Sequence, residues 1–159
     1  MEGMAVKAPA SSLWRKPDAT LEKEALLGIL RTADLLERRL EAVLAPQSLS
    51  ATQYNVLRIL RGAGPEGLTC GETGARMITR DPDVTRLLDR LNTRALIARE
   101  RDKRDRRVIV TRITEEGLRL LTTLDGPIEE LDRRQLGGLG GADLRRLVRM
   151  LERVRESGV

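Results

Sequence analysis

The densest cluster of reactive side chains lies in residues 101–112, RDKRDRRVIVTR, which contain five arginines and one lysine. Guanidinium groups stay charged at physiological pH and donate paired hydrogen bonds to phosphate oxygens. The second half of the stretch is rich in β-branched residues, which favour an extended strand. The cluster therefore predicts a β-hairpin with a cationic tip, suited to contact with a phosphate-bearing polymer.

A second polar group precedes this hairpin, on a helix predicted from its apolar stripe of Val84, Leu87, Leu88 and Leu91. Outside the stripe lie the candidate contact residues Asp83, Thr85, Arg86 and Arg90. An arginine such as Arg86 has the geometry to bridge guanine O6 and N7, which contributes about 1–3 kcal/mol of base discrimination. Asp83 has two interpretations, an acceptor for cytosine N4 or a complement to the helix dipole, and the second is favoured.

Composition removes most catalytic and metal-binding chemistry. The 159 residues include no histidine and one cysteine, Cys70, so the usual zinc sites and Ser-His or Cys-His pairs are missing. The glycine-rich LGGLGG at 136–141 follows a predicted helix and lacks the lysine of a phosphate-binding loop. We therefore expect no enzyme, no metal and no cofactor.

Charge and hydropathy limit the kinds of binding partner that the chain is expected to have. The net charge of +5 and the pI near 10.1 are compatible with a nucleic-acid partner without demanding one. No run approaches 18 apolar residues, and the N-terminus lacks the hydrophobic block of a secretory signal. We therefore expect a cytoplasmic protein with no membrane partner.

Helical periodicity accounts for most of the remaining chain. Residues 1–19, with two prolines and no sustained period, predict a flexible N-terminal arm. A long amphipathic helix is predicted over 20–44, and capping boxes at Ser50 with Gln53 and at Thr69 with Glu72 predict two further helix starts. For the helix that carries Arg86, Asp81 is the predicted N-cap and Pro82 its first residue. Two more helices follow, one from the cap Thr114 with a bend at Pro127 and one over 142–156.

Two strands are predicted at 97–101 and 108–113, joined by a charged turn. Alternation places Val108, Val110 and Arg112 on one face, and Ile109, Thr111 and Ile113 on the other. Arg104, Arg106 and Arg107 then lie at or beside the tip, where guanidinium groups suit a narrow minor groove and adjoining phosphates. Asp102 and Asp105 are expected to orient these arginines through salt bridges.

The order of helix, short helix, helix and hairpin is that of a winged helix-turn-helix. The fold class predicted is mainly α with a small β-hairpin wing. Residues 49–114 form the winged-helix DNA-binding region, and 20–48 with 115–159 form a helical dimerisation region. These terminal helices carry more apolar surface than one small core requires, which predicts a homodimer.

Three segments, LSATQYNVLRIL, DVTRLLDRLNTRALI and DKRDRRVIVTRITEEG, closely resemble the MarR family of bacterial winged-helix transcription regulators. The likeness spans residues 49–117. It implies a homodimer with intertwined terminal helices that binds palindromic double-stranded DNA, with repression the expected effect. It also implies a small-molecule effector, often aromatic or phenolic in this family, that releases the DNA. By this likeness Arg86 is the recognition-helix arginine and Arg107 the minor-groove wing arginine, positioned by Asp105.

Ala95 stands where the family usually has a glycine that ends the recognition helix, and a left-handed residue there would cost about 1 kcal/mol. Some relatives sense peroxide through a cysteine in the first long helix, whereas Cys70 begins the third predicted helix. A structural thiol is favoured there, and redox activity stays open.

The rival hypothesis is a helical dimer that acts as a small-molecule sensor or a protein-docking module without operator binding. Its support comes from Asp83, Asp102 and Asp105, whose carboxylates repel phosphate.

Overall fold

The computed structural model describes residues 20–79, 83–102 and 105–157. The predicted arm at 1–19, the predicted cap at Asp81 and Pro82, and Arg104 lie outside these ranges. Within them the α-helices are α1 (Leu21–Leu44), α2 (Ala51–Ala63), α3 (Cys70–Arg76), α4 (Val84–Thr93), α5 (Glu115–Leu136) and α6 (Gly141–Glu156). The strands are β1 (Leu68–Thr69), β2 (Ile97–Arg101) and β3 (Ile109–Ile113). The prediction of a mainly helical chain with a small wing is confirmed.

The described part of the chain divides into two units between Leu36 and Glu37, within α1. In the first unit most apolar side chains of the helix are exposed, including Leu26 and Leu30. In the second unit the helix ends at Leu44, which is fully buried, and a 3-10 turn at Ala45–Gln47 contains Pro46. Proline therefore ends α1 as predicted.

The two predicted capping boxes are confirmed at the starts of α2 and α3. The Ser50 hydroxyl accepts the Gln53 N–H at 3.1 Å, and the Gln53 side chain accepts the Ser50 N–H at 3.1 Å. Thr69 and Glu72 make the same exchange at 3.2 and 2.8 Å. Such bonds satisfy N–H groups that have no partner within the helix, so both helices begin where the polar residues allow it.

The core within the second unit is almost entirely aliphatic. Leu57 and Leu60 of α2, Leu88 and Leu91 of α4, and Leu121 of α5 are fully buried. Tyr54 is the one aromatic residue among the buried side chains of the described ranges. The periodic leucines of these three helices therefore meet in one cluster, as their spacing predicts.

The sheet has three antiparallel strands in the order β1-β3-β2, whereas the sequence predicted a two-stranded hairpin. The extra strand pairs Leu68 with Thr111 and Thr69 with Val110. It leads directly into the Thr69 cap, and its two residues are too few to show any alternation. Gly67 precedes it at φ 70, where a Cβ would crowd the Thr111 carbonyl oxygen, so glycine suits this approach.

The junction between the sheet and α5 is close-packed. The Thr114 hydroxyl accepts the Gly117 N–H at 3.1 Å and donates to the Ala95 carbonyl at 2.7 Å. Helix α5 then runs to Leu136 as one helix with Pro127 inside it. No helix in the described part of the chain is both long and apolar enough to cross a membrane.

Gly117 has no room for a side chain, because a Cβ there would overlap the Leu96 carbonyl oxygen and crowd the Ile113 side chain. We predict that Gly117→Ala lowers the free energy of unfolding by about 1–3 kcal/mol, since the backbone must shift. Gly62→Ala is the control, because a Cβ at this position meets no atom within 4 Å. The substitution also replaces a glycine within helix α2. It should raise stability by up to about 1 kcal/mol. Urea midpoints measure both, and equal shifts would contradict the packing at Leu96.

A bidentate ion pair joins α2 to α5. Arg61 donates to the two carboxylate oxygens of Asp125 at 2.9 and 3.0 Å. These hydrogen bonds lower the pKa of Asp125, and the same bonds raise the pKa of Arg61. Because the folded pKa of Asp125 lies below its unfolded value, the pair stabilises the fold above that unfolded value. Its contribution is lost as the pH falls through the folded pKa.

We predict that Asp125→Asn lowers stability at neutral pH by about 0.5–1 kcal/mol, as expected for a partly exposed pair. Its stability should also fall less steeply than that of the wild type as the pH drops below about 5. Asp132→Asn, at an exposed position of the same helix, is the control. Denaturant titrations from pH 7 to 2 test this, and parallel curves for wild type and Asp125→Asn would refute the linkage.

Candidate nucleic-acid interface

Helix α4 begins at Val84 with Asp83 as its N-cap, two residues later than the sequence predicted. The Asp83 side chain accepts the Arg86 N–H at 3.1 Å and lies 3.6 Å from Arg86 Nε. The prediction of Asp81 as the cap was therefore wrong for this helix start. Asp83, for which a complement to the helix dipole was the favoured role, caps the helix and forms an ion pair that restrains Arg86.

The predicted amphipathic character of α4 is confirmed. Its leucine stripe is buried, and Val84 is half-buried beside it. Thr85, Arg86 and Arg90 are exposed, with 72% of the Arg86 side chain accessible. Thr85 also reaches α3, because its hydroxyl lies 3.6 Å from the sulfur of the half-buried Cys70. The side of α4 away from the core thus carries the two predicted cations.

Helix α4 ends at a residue in the left-handed conformation. Ala95 has a left-handed φ of 54°. The Leu96 N–H donates to the Leu91 carbonyl at 3.1 Å and the Ala95 N–H to the Asn92 carbonyl at 2.9 Å, the pattern of a Schellman motif. The alanine therefore ends the helix in the conformation that glycine usually supplies, at a cost of about 1 kcal/mol.

Arg94 anchors the same end of α4 and was missed by the sequence reasoning. Its guanidinium donates to the carbonyl oxygens of Ser48 at 2.7 Å and Gln47 at 2.9 Å. Nothing local in the sequence marks this contact, since the acceptors are main-chain atoms about 46 residues earlier. The bonds fix α4 to the connection between α1 and α2.

The wing turn is organised by its two aspartates. The Asp102 side chain accepts the Asp105 N–H at 3.0 Å, and the Asp105 side chain accepts the Arg107 N–H at 3.0 Å. Asp105 also lies 3.9 Å from Arg107 Nε, in keeping with its predicted orienting role. The sequence predicted salt bridges but not these backbone bonds, which shape the turn itself.

The tip presents its cations to solvent. Arg106 is exposed, and 95% of the Arg107 side chain is accessible. Arg104, the third arginine predicted for the tip, lies outside the described residues. Arg106 and Arg107 are therefore exposed to solvent, and the Asp105 carboxylate lies 3.9 Å from Arg107 Nε.

Other arginines of the hairpin face the protein. Arg99 forms an ion pair with Asp89 of α4. On the opposite face, Arg112 Nε donates to the Pro65 carbonyl at 2.7 Å, and its Nη1 lies 3.6 Å from Glu100. Some arginines of the hairpin are thus exposed to solvent, whereas others bond to the rest of the protein. The run of charges in the sequence does not distinguish the two groups.

Comparison with known proteins agrees with this architecture. The MarR family model matches residues 49–109. The HTH-type transcriptional regulator PecS of Dickeya dadantii (strain 3937) is 30% identical over 112 residues, covering 68% of each protein. The HTH-type transcriptional repressor IacR of Pseudomonas putida is 29% identical over 144 residues, covering 91% of this chain and 82% of that protein.

Solved structures show the same likeness. A MarR transcription factor from Planctomyces limnophilus is 40% identical with a TM-score of 0.65, covering 84% of this chain and 97% of that one. The PcaV regulator of Streptomyces coelicolor, in complex with its natural ligand, is 25% identical with a TM-score of 0.67, covering 80% and 91%. CouR from Rhodococcus jostii RHA1, bound to p-coumaroyl-CoA, shares the fold at 24% identity and a TM-score of 0.74, covering 86% and 95%. The chain therefore belongs to the MarR family of transcription regulators.

Proposed function

We propose that this regulator works as a homodimer, with α4 and the wing of each copy binding one half of an inverted repeat in duplex DNA. The observation that carries the proposal is the exposure of arginines on two elements that are tied together. Arg86 projects from α4 and Arg107 from the wing, while the Asp89–Arg99 ion pair joins the same two elements.

The two elements suit different parts of the duplex. An α-helix fits the major groove, where Arg86 bonds to a guanine edge and Thr85 and Arg90 contact neighbouring groups. Asp83 holds Arg86 through the carboxylate that also caps the helix. The wing arginines, Arg106 and Arg107 with Arg104, bind the minor groove and its phosphates, where guanidinium groups are favoured.

A second copy of the chain would bury the apolar side chains that each terminal helix leaves exposed. In α6 no residue is fully buried, and Val148, Met150 and Val154 are exposed. In α1 the exposed apolar residues are Leu21, Leu26, Leu27, Ile29, Leu30 and Leu35. Twofold assembly through these helices also explains why the DNA site is an inverted repeat.

The mode of regulation follows from the relatives. IacR is a repressor, and the PcaV and CouR structures each hold a small molecule. We extend both properties to this chain, as repression that a small-molecule effector relieves.

Operator selection from a random duplex pool tests the proposal as a whole. We expect an inverted repeat with half-sites about one helical turn apart, retained in a gel shift when the salt is raised. Sedimentation should give twice the 17.7 kDa chain mass. A monomer, or retention that vanishes equally for every sequence at higher salt, would instead favour a sensor or docking module without operator binding.

Single arginine variants separate the two contacts. Arg86→Ala should relax base preference at one position of each half-site, since a bidentate guanine contact is lost. Arg107→Ala should weaken binding to all duplexes and flatten the salt slope by about 1, because a phosphate contact is lost. Arg133→Ala on α5 removes the same charge outside both elements and serves as the control. Fluorescence anisotropy on the selected operator and on shuffled duplexes measures all three, and equal losses would contradict the assignment.

A further inference from the structure

Arg99 occupies an unusual place for a cation, on the buried face of the sheet. In the antiparallel register Ile97 lies opposite Ile113, and Arg99 lies opposite Thr111. Ile97 is 2% exposed and Thr111 is 1% exposed, which identifies their face as the one directed at the core. The Arg99 side chain is only 19% exposed. Burial of a charge is unfavourable unless the charge is paired, so its partner is informative.

The partner of Arg99 lies on α4. Arg99 Nη1 donates to Asp89 Oδ1, and Asp89 is the residue between the predicted DNA contacts on the helix, three after Arg86 and one before Arg90. Helix α4 is packed against β2 along this edge. The ion pair is therefore a direct polar link between the wing and the helix that presents Arg86.

Two further atoms at this position have no partner among the residues that the structure describes. They are Arg99 Nε and Thr111 Oγ1, both buried. One is a donor and the other an acceptor, and residues paired across antiparallel strands have Cβ atoms about 4.5–5.5 Å apart. Arg99 Nε thus remains an unpaired donor after Nη1 has bonded to Asp89, whereas an ammonium group has no planar fork with separate donor positions.

The opposite face of the sheet has its own anchor, which does not involve α4. Arg112 binds the Pro65 carbonyl and lies near Glu100. The three-stranded pairing also fixes β3 between β1 and β2. Loss of the Asp89–Arg99 pair therefore leaves the sheet assembled and removes the side-chain ion pair between β2 and the middle of α4.

We infer that Arg99 is a positioning residue for DNA binding, which holds the wing at a fixed angle to α4 through Asp89. Arg107 and Arg86 can then contact one DNA site together. The inference rests on the proposed function and deepens it, since it concerns how the two contacts are coupled. In this role Arg99, whose side chain is 19% exposed, acts through Asp89 and not by contacting DNA itself.

A double-mutant cycle between Arg99 and Arg107 tests this coupling. Affinity for the selected operator is measured for the wild type, Arg99→Gln, Arg107→Ala and the double variant. We expect Arg107→Ala to weaken wild-type binding about tenfold and to weaken the Arg99→Gln protein less than about threefold. The salt slope of Arg99→Gln should also fall by about 1, as for the loss of the wing contact. Asp89→Asn should reproduce both effects.

Arg99→Lys separates positioning from net charge. This variant keeps the positive charge. If Arg99 contributes only its charge, Arg99→Lys should bind the operator like the wild type. If its guanidinium group positions the wing, Arg99→Lys should show the same non-additivity with Arg107→Ala as Arg99→Gln does. Arg133→Gln, combined with Arg107→Ala, is the control cycle and should be additive. Urea midpoints of all variants show whether each is folded at the temperature of the binding assay, and Arg99→Lys carries the test if Arg99→Gln is not.

The outcomes are distinguishable. An equal penalty for Arg107→Ala in the wild-type and Arg99 variant backgrounds would overturn the positioning role and leave the wing contact intact. No penalty for Arg107→Ala in the wild-type background would overturn the proposed wing contact, and the inference with it. Reduced penalties in the Arg99→Gln, Arg99→Lys and Asp89→Asn backgrounds, with additivity for Arg133→Gln, would support the inference.

Discussion

Burial of the leucine stripe of α4 determines how this chain presents its cations. Leu88 and Leu91 have no exposed surface, and full burial of such a side chain is worth about 1.5–3 kcal/mol. Rotation of α4 about its axis would expose these leucines, so their packing fixes the side of the helix on which Arg86 stands. The polar contacts at the two ends of α4, through Asp83 and Arg94, hold a helix whose orientation hydrophobic burial has already selected.

Much of the fold could be predicted because its signals are local. Capping boxes act over three residues and helical periodicity over two turns. The structure agrees at each of these points. The N-cap of α4 was misplaced for the same reason, because an aspartate followed by proline at 81–82 is as good a local signal as Asp83.

The features that were missed depend on contacts between distant segments. Strand β1 has two residues, and only the main chain of β3 makes it a strand. Arg94 bonds to carbonyl groups, which every residue carries, and Arg99 is one of many arginines in a charged run. Charge density in the sequence predicted a cationic surface but not which guanidinium groups make internal contacts instead. The contacts of Arg99 with Asp89 and of Arg112 with Pro65 distinguish these arginines from the exposed Arg107.

The missing side chain of Gly117 has a mechanical consequence. The first turn of α5 lies directly against the Leu96 carbonyl, which also accepts the Thr114 N–H at 3.1 Å, while the Thr114 hydroxyl bonds to Ala95. Hydrogen bonds and close packing therefore join three segments at one junction: the end of α4, the end of β3 and the start of α5. Because the packing at this junction leaves no space, a tilt of α5 also displaces the base of the wing.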